Sequence, residues 1–496
     1  MLDASRFYFP LPMTEHDIYR PVYHFTPPAN FINDPNGLVF YRGEYHLFYQ
    51  HNPFGDTWGH MSWGHAVSRD LVRWDHLPVA LAEEDDVMIF SGSAAVDWRN
   101  TSGFGRGAEP PLVAAYTGHS QAEQTQCLAY SLDAGRTWTK YAGNPVIAIG
   151  SREFRDPKIF WHAATGRWIM ATVLADLHRV RFYGSADLRR WELLSEFGPA
   201  GAQEGVWECP ELFPLAVEGT AGESRWVLKV DIGCHPQRGG CYGQYFVGDF
   251  DGVRFVADQP ADLVLHMDAG ADFYAAQAWN DLPPLDDRRL WLAWMSNWRY
   301  ANQTPTAPWR GAMTLPRSLA LRRFDEGIRL IQRPVAELRS LRGAHFGRAG
   351  LKTEAANRQL QAAGLQGDAL EIIADFRLPA ATAEVGLRVR VGRDEATVIG
   401  YDSAKQQMFV DRTRSGRCDF APGFGERHVV ALPAPNGRVR LHVYVDRCSV
   451  EVFGGGGRSV ITDLIFPHPD STGLEIYSAG DEALVERLDV WRLEAR

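Results

Sequence analysis

Four stretches of this chain repeat one pattern: Ser68-Arg-Asp-Leu-Val-Arg-Trp74, Ser131-Leu-Asp-Ala-Gly-Arg-Thr-Trp138, Ser185-Ala-Asp-Leu-Arg-Arg-Trp191 and Gly248-Asp-Phe-Asp-Gly-Val-Arg-Phe255. Each follows an apolar run and places an aromatic residue six or seven positions after its start, and the starts are spaced by 63, 54 and 63 residues. A near-constant spacing of this order, built from short strands and polar turns, marks a β-propeller with one four-stranded blade per repeat. The region from Arg20 to Arg323 then holds five blades. Helix signals are nearly absent there, and alternating runs bounded by Gly, Pro, Asn and Asp dominate. The competing arrangement is a β-sandwich whose hairpins happen to look alike; four ordered matches weigh against it.

In a propeller the first strand of each blade lines the central axis, and all of them enter from one face. Reading back from each repeat puts the five starts at Asn33-Asp34-Pro35, Phe90-Ser91-Gly92-Ser93, Arg155-Asp156-Pro157, Glu208-Cys209-Pro210 and Asp272-Phe273-Tyr274. Taken alone, Asp34 between Asn33 and Pro35-Asn36-Gly37 reads as an acid capping a turn. The repeat changes that reading. Asp34, Asp156 and Glu208 come from three blades to one axial funnel, and buried acids are costly unless they are paired or used.

The chain has 496 residues, more than one core normally accommodates, so two domains are expected. A net charge of −10 disfavours a phosphate-binding surface, and so nucleic acid. No run of eighteen apolar residues suggests a membrane span. The opening Met1-Leu-Asp-Ala-Ser-Arg-Phe-Tyr-Phe-Pro10 has no basic start followed by an apolar core. The expected location is therefore the cytoplasm, or outside the cell if a signal has been removed. Six scattered cysteines do not make a disulfide scaffold, and Cys234 and Cys241, flanking a Gly-rich loop, are expected as free thiols. Cys209 reads as a small buried side chain, since no partner His stands at a recognisable position. No metal site is expected. Oligomeric state carries no sequence signal, and a homo-oligomer is compatible with it.

Beyond the propeller, assigned to residues 1–323, Arg333-Pro334 to Gly343 reads as a short helix within a linker at 324–344. Val385, Leu387, Val389 and Val391 then alternate with polar residues, as do Val439, Leu441, Val443 and Val445. One apolar and one polar face mark antiparallel sheets packed face to face, so residues 345–496 are expected to form a β-sandwich. The fold class is all-β.

Hydrolysis of a glycosidic bond needs one acid to protonate the leaving oxygen and a carboxylate on the other side of the sugar. The apolar flank of Trp207 favours a protonated Glu208, which suits the acid. Asp34, among Asn33, Asn36 and turn amides, is expected to stay ionised, which suits the nucleophile. Trp58, Trp63, Phe90, Tyr274, Trp294 and Trp298 lie near strand ends as candidate sugar platforms, whereas Trp74, Trp138 and Trp191 belong to the repeat and are structural.

Asn33-Asp34-Pro35-Asn36-Gly37, Phe90-Ser91-Gly92, Arg155-Asp156-Pro157 and Glu208-Cys209-Pro210 resemble the signature motifs of glycoside hydrolase family 32, the family of invertases, inulinases and levanases. The similarity extends to Val445-Asp446-Arg-Cys-Ser-Val-Glu451-Val-Phe453 and Ile465-Phe-Pro467. It implies a five-bladed propeller followed by a β-sandwich, and a retaining mechanism on β-fructofuranosides without metal or organic cofactor. Asp34 would be the nucleophile, Glu208 the acid/base and Asp156 the transition-state stabiliser. Asn33, Gln50, Trp58, Ser91, Arg155 and Trp294 would line the fructose pocket, with Phe90 and Tyr274 close by. One tension remains, because neighbours on a regular strand face opposite ways while Arg155 and Asp156 are both assigned to the pocket. The expected substrate is a terminal β-fructofuranosyl unit of sucrose, fructooligosaccharides, inulin or levan. Gln124-Thr-Gln126 and Gly239-Gly240 look more like exo-acting fructan hydrolases than like hydrolases of sucrose 6-phosphate. The readings kept beside it are a fructosyltransferase, a sugar-binding protein without catalysis, and an inverting propeller hydrolase acting on arabinose or xylose.

Overall fold

The computed structural model describes residues 17–234, 241–283, 285–379 and 382–495. The N-terminal stretch read for an export signal lies outside them. Among the described residues the first four blades are regular meanders. The first runs through Asn30–Tyr41, Glu44–Asn52, Ser62–Ser68 and Asp75–Leu81, and the second through Met88–Val96, Leu112–His119, Gln124–Ser131 and Thr139–Lys140. The third starts at Phe154–His162 and the fourth at Trp207–Glu218. The fifth starts at Tyr274–Ala278 and ends with the hairpin Arg317–Phe324 and Gly327–Pro334. Trp309–Arg310 pairs parallel with Asn30 and Phe31 of the first inner strand, bringing the end of the ring back to its beginning.

The repeated sequence unit occupies one place in each of these four blades, the turn between the third and fourth strands. Its aspartate is the reason it repeats. Asp70 Oδ1 accepts the N–H groups of Val72 and Arg73, and Asp187 Oδ1 those of Arg189 and Arg190. Asp251 Oδ1 does the same for Val253 and Arg254. A side chain that satisfies the amides two and three residues on fixes the turn. The aromatic that follows closes it: the indole N–H of Trp138 donates to Gly135 O and that of Trp191 to Leu188 O.

Strand pairing continues past residue 323, which falls inside the last hairpin of the fifth blade. We therefore place the domain boundary after Pro334. The expected linker helix is a 3₁₀ turn, Ala336–Leu341, with Leu338 and Leu341 buried. The second domain packs a sheet containing Leu370–Arg377, Arg438–Asp446 and Leu484–Leu493 against one containing Thr382–Val391 and Gly473–Gly480. Val439, Leu441, Val443 and Val445 are all buried, as are Val385, Leu387 and Val389. The alternation fails at Val391, which is half-buried. Arg390 there adopts φ +51° at a register shift, and its buried guanidinium donates to the carbonyls of Ser471, Arg447 and His468. One α-helix among the described residues, Thr353–Ala362, was not expected; it buries Thr353, Ala356 and Leu360 along one face. No helix among the described residues is long and apolar enough to cross a membrane.

Cys234 and Cys241 form a disulfide, which corrects the expectation of free thiols; Cys127, Cys209, Cys418 and Cys448 are unbridged. The tertiary fold brings the two Cα atoms to 4.7 Å, a proximity that the seven-residue separation alone does not reveal.

Candidate active site

All five inner strands break the regular pleat near their upstream ends. In the first the register shifts between Ile32 and Pro35 and again between Asn36 and Val39; in the second it shifts between Phe90 and Gly92. In the third, fourth and fifth a non-glycine residue takes a left-handed conformation at the shift: Asp156 at φ +64°, Cys209 at +48° and Ala275 at +56°. Such bulges re-aim side chains and let neighbours share a face. Arg155 and Asp156 therefore both reach the funnel, and the tension with strand alternation disappears. Left-handed non-glycine residues cost about 1–3 kcal/mol each and persist where the surrounding structure holds them. Gly37 completes the first of these turns at φ +57°, where an added Cβ would lie 2.5 Å from the Phe48 ring.

The upstream ends converge on an open cavity of about 460 Å³. Asn33 and Asp34 of the first blade, Phe90 and Ser91 of the second, Arg155 and Asp156 of the third and Glu208 of the fourth all line it, with Gln50 and Trp58. Asp34 accepts from Ser91 Oγ at 2.6 Å and from Asn33 Nδ2 at 3.0 Å, and the Cys209 thiol lies 3.6 Å from its Oδ2. Burial pushes the Asp34 carboxyl up from its ordinary value against these donors, and Glu208 adds to the rise. The turn around Asp34 thus holds its charge less firmly than the sequence suggests. Asp156 accepts from the Cys209 N–H at 2.8 Å, and its own N–H donates to Thr117 Oγ1. Burial lifts Asp156 to about 7, with Arg155 opposing and Glu208 and Asp34 adding to it. The Cys209 thiol is itself pushed well up by burial and the two aspartates, so it stays protonated and unreactive.

Trp207 does not flank the Glu208 carboxyl. Its ring is fully buried in the core between the third and fourth blades, with its N–H on Ala202 O. What surrounds Glu208 is polar. Arg155 donates to Oε1 from Nη2 at 3.1 Å and Nε at 3.3 Å, and the Tyr274 hydroxyl donates to Oε2. Burial opposes the charge on Arg155, but Glu208, Asp156 and Glu153 outweigh it and raise its pKa. Tyr274 thus stands behind Glu208 rather than on the pocket wall. Trp294 is corrected outright: it is 0% exposed, packed against Phe31, Tyr274 and Trp298, and does not line the cavity. Trp298, four residues on and beyond the end of the strand Arg289–Met295, lines it instead.

Sequence reasoning gave no role to His119, Glu153 or Asn302, which also line the cavity. His119 stacks on Phe90 with ring centroids 4.2 Å apart. Glu153 holds Arg155 Nη1 at 2.6 Å, and the Asn302 carboxamide accepts the Trp58 N–H at 2.9 Å. Glu153 stands two residues before Arg155, the one local hint; His119 ends the strand Leu112–His119 and Asn302 lies in a turn, neither within a motif.

A family model for the glycosyl hydrolases family 32 N-terminal domain matches residues 24–334, and one for the family 32 C-terminal domain matches residues 337–492. A levanase of Bacillus subtilis (strain 168) is 51% identical over 480 residues, covering 96% of this chain and 70% of that protein. An extracellular exo-inulinase of Aspergillus ficuum is 41% identical over 512 residues, covering 95% and 94%. The crystal structure of an exo-inulinase from Aspergillus awamori superimposes with a TM-score of 0.89 at 37% identity, covering 97% of this chain and 99% of that one.

Proposed function

The chain belongs to glycoside hydrolase family 32, and from that premise we propose that it is a retaining exo-β-fructofuranosidase acting on terminal fructosyl units of fructans and sucrose. The observation that carries the reading is three carboxylates from three blades, Asp34, Asp156 and Glu208, in one open cavity with an aromatic rim. Relatives named levanase and exo-inulinase point to the same substrate class.

In the proposed reaction Asp34 Oδ attacks the anomeric carbon of the fructosyl unit while Glu208 gives its proton to the departing glycosidic oxygen. A fructosyl ester on Asp34 results. Water then enters, Glu208 takes its proton, and the hydroxyl displaces Asp34 to release fructose. Ser91 and Asn33 hold the two Asp34 oxygens and limit the directions of attack. Arg155 and Tyr274 fix the Glu208 carboxyl, so proton delivery follows a set line. Asp156 exchanges no proton with the leaving group; as a carboxylate it stabilises the positive charge that develops on the sugar ring.

The Cys234–Cys241 disulfide favours an oxidising compartment over the cytoplasm. The decisive experiment is a product profile on sucrose, kestose, inulin and levan. Free fructose from every active substrate, accompanied by an equal amount of glucose from sucrose, supports the reading. Longer oligomers accumulating with little free fructose would make the protein a fructosyltransferase.

A further inference from the structure

The propeller axis opens at both ends. At the downstream ends of the inner strands lies a second cavity, of about 590 Å³, which shares no lining residue with the active site. Within the second inner strand Ser91 faces the active-site cavity and Val96 this one, about 17 Å along an extended chain. Between them the axis is closed: Asn280 Nδ2 donates to Ala94 O and Ile159 O, and Lys158 Nζ to Ala278 O. The second cavity therefore cannot be the far end of the first.

Its walls carry a specific chemistry. Trp98 stands at the mouth with 61% of its surface exposed, yet it is held rigidly. Its indole N–H donates to Asp281 Oδ1 at 2.9 Å, and Asp281 Oδ2 accepts the Val96 N–H at 2.8 Å. The next residue, Arg99, lays its guanidinium 4.5 Å over the Trp161 ring, whose own N–H is buried without a partner. Deeper in, Arg289 is engaged at Nη1 by Trp279 O. The charges balance: Arg99, Lys158 and Arg289 face Asp97, Glu211 and Asp281 among the lining residues. A balanced wall has no net field to select an anion or a cation. Fixed aromatic faces beside both donors and acceptors suit a neutral polyhydroxylated ligand, whose C–H faces stack while its hydroxyls bond. The size lies within the ordinary range for small-ligand sites.

We propose that this cavity is a second carbohydrate-binding site, which holds a stretch of fructan away from the reacting end. The identity of the ligand rests on the functional reading above; the existence of the site rests on its own residues. A chain bound here keeps the polymer at the enzyme surface between cleavages, while sucrose, too short to be tethered, gains nothing.

Retardation in native gels containing long-chain fructan tests it, using the chain carrying Glu208→Gln to stop hydrolysis. Adding Trp98→Ala is expected to weaken the apparent affinity for the polymer roughly tenfold, the scale of losing one central aromatic contact. Arg99→Ala, at an equally peripheral position, is expected to weaken it less. Trp98→Ala on the otherwise wild-type chain should keep sucrose kcat/KM within about twofold of wild type. Unchanged retardation in both variants, with sucrose turnover intact, would overturn the second site alone. A wild-type chain that hydrolyses neither sucrose nor fructan would instead overturn the functional reading, and with it the assignment of fructan as the ligand.

Discussion

The protein keeps buried carboxylates in two regions that treat them oppositely. In the funnel Asp34 and Asp156 are under-compensated, and burial pushes both upward. At the seam between propeller and sandwich, Glu451 and Asp463 are pushed down, because buried cations outweigh the cost of burial. Arg317 Nη2 reaches Glu451 Oε2 at 2.6 Å while its Nη1 reaches Asp268 at 3.0 Å, and the His24 ring bridges Asp446 and Glu451. Arg412 joins Asp272 at 2.6 Å, and His428 joins Asp463. The same residue types thus become reactive or structural according to the donors around them. Asp272 is the seam carboxylate that departs from the downward direction: burial pushes it up, as it does Asp156, against the opposing Arg412, and the two differ in their donors. Both stand at the upstream ends of inner strands, yet Asp272 takes Arg412, the Tyr300 hydroxyl and the Leu464 N–H. That clamp fixes the start of the strand whose Tyr274 holds Glu208.

The largest effects separate chemistry from stability. Asp34→Asn is expected to lower kcat/KM on sucrose by about 10⁴-fold or more, as loss of a nucleophile does. Its thermal midpoint should not fall, since a poorly compensated buried charge is removed. A midpoint that drops as far as in a seam variant would break the contrast. Arg317→Met should do the reverse: stranding Glu451 and Asp268 costs about 3–5 kcal/mol of stability, with sucrose kcat near wild type below the transition. Denaturant unfolding and initial rates read the two together.

Smaller effects sharpen it through pH. Burial lowers the affinity of His24 for its proton, but Asp446 and Glu451 outweigh this and raise its pKa to about 9. A group raised above its unfolded value near 6.5 stabilises fully below that value and loses the contribution as pH climbs through 9. His24→Gln should therefore flatten the alkaline fall in thermal midpoint between those limits. Asp156 gives the same downward slope in a lower window, because it is its charged form that burial disfavours. With a folded value of about 7 against an ordinary value near 4, it binds a proton more tightly when folded and penalises folding increasingly as pH rises across that window. Asp156→Asn should gain in midpoint relative to wild type from pH 4 to 7 while losing activity. The smallest test is chemical: denatured, unreduced protein should show four reactive thiols and reduced protein six.

Much of this was legible in the chain because the determinants are local. A turn aspartate satisfies amides two or three residues away, so the blade repeat is written in short strings such as Ser185-Ala-Asp187. The three carboxylates were legible because each opens an inner strand. What escaped depends on distant partners. Arg317 and Glu451 lie 134 residues apart, and neither stands in a pattern that announces the other. Trp294 and Trp298 look equivalent in sequence, but one lies inside the last regular strand segment and turns into the core, while the other lies past its end and emerges at the rim. Arg390 broke the strand alternation because three carbonyls from remote loops receive its guanidinium.

The central claim is that Asp34 is the funnel carboxylate that bonds to the sugar. Wild-type protein turning over sucrose should be quenched in acid, digested and its peptides weighed. A fructosyl adduct on the peptide containing Asp34, absent from Asp34→Asn, is the predicted result. An adduct on another residue, or none together with release of the inverted anomer first, would contradict it.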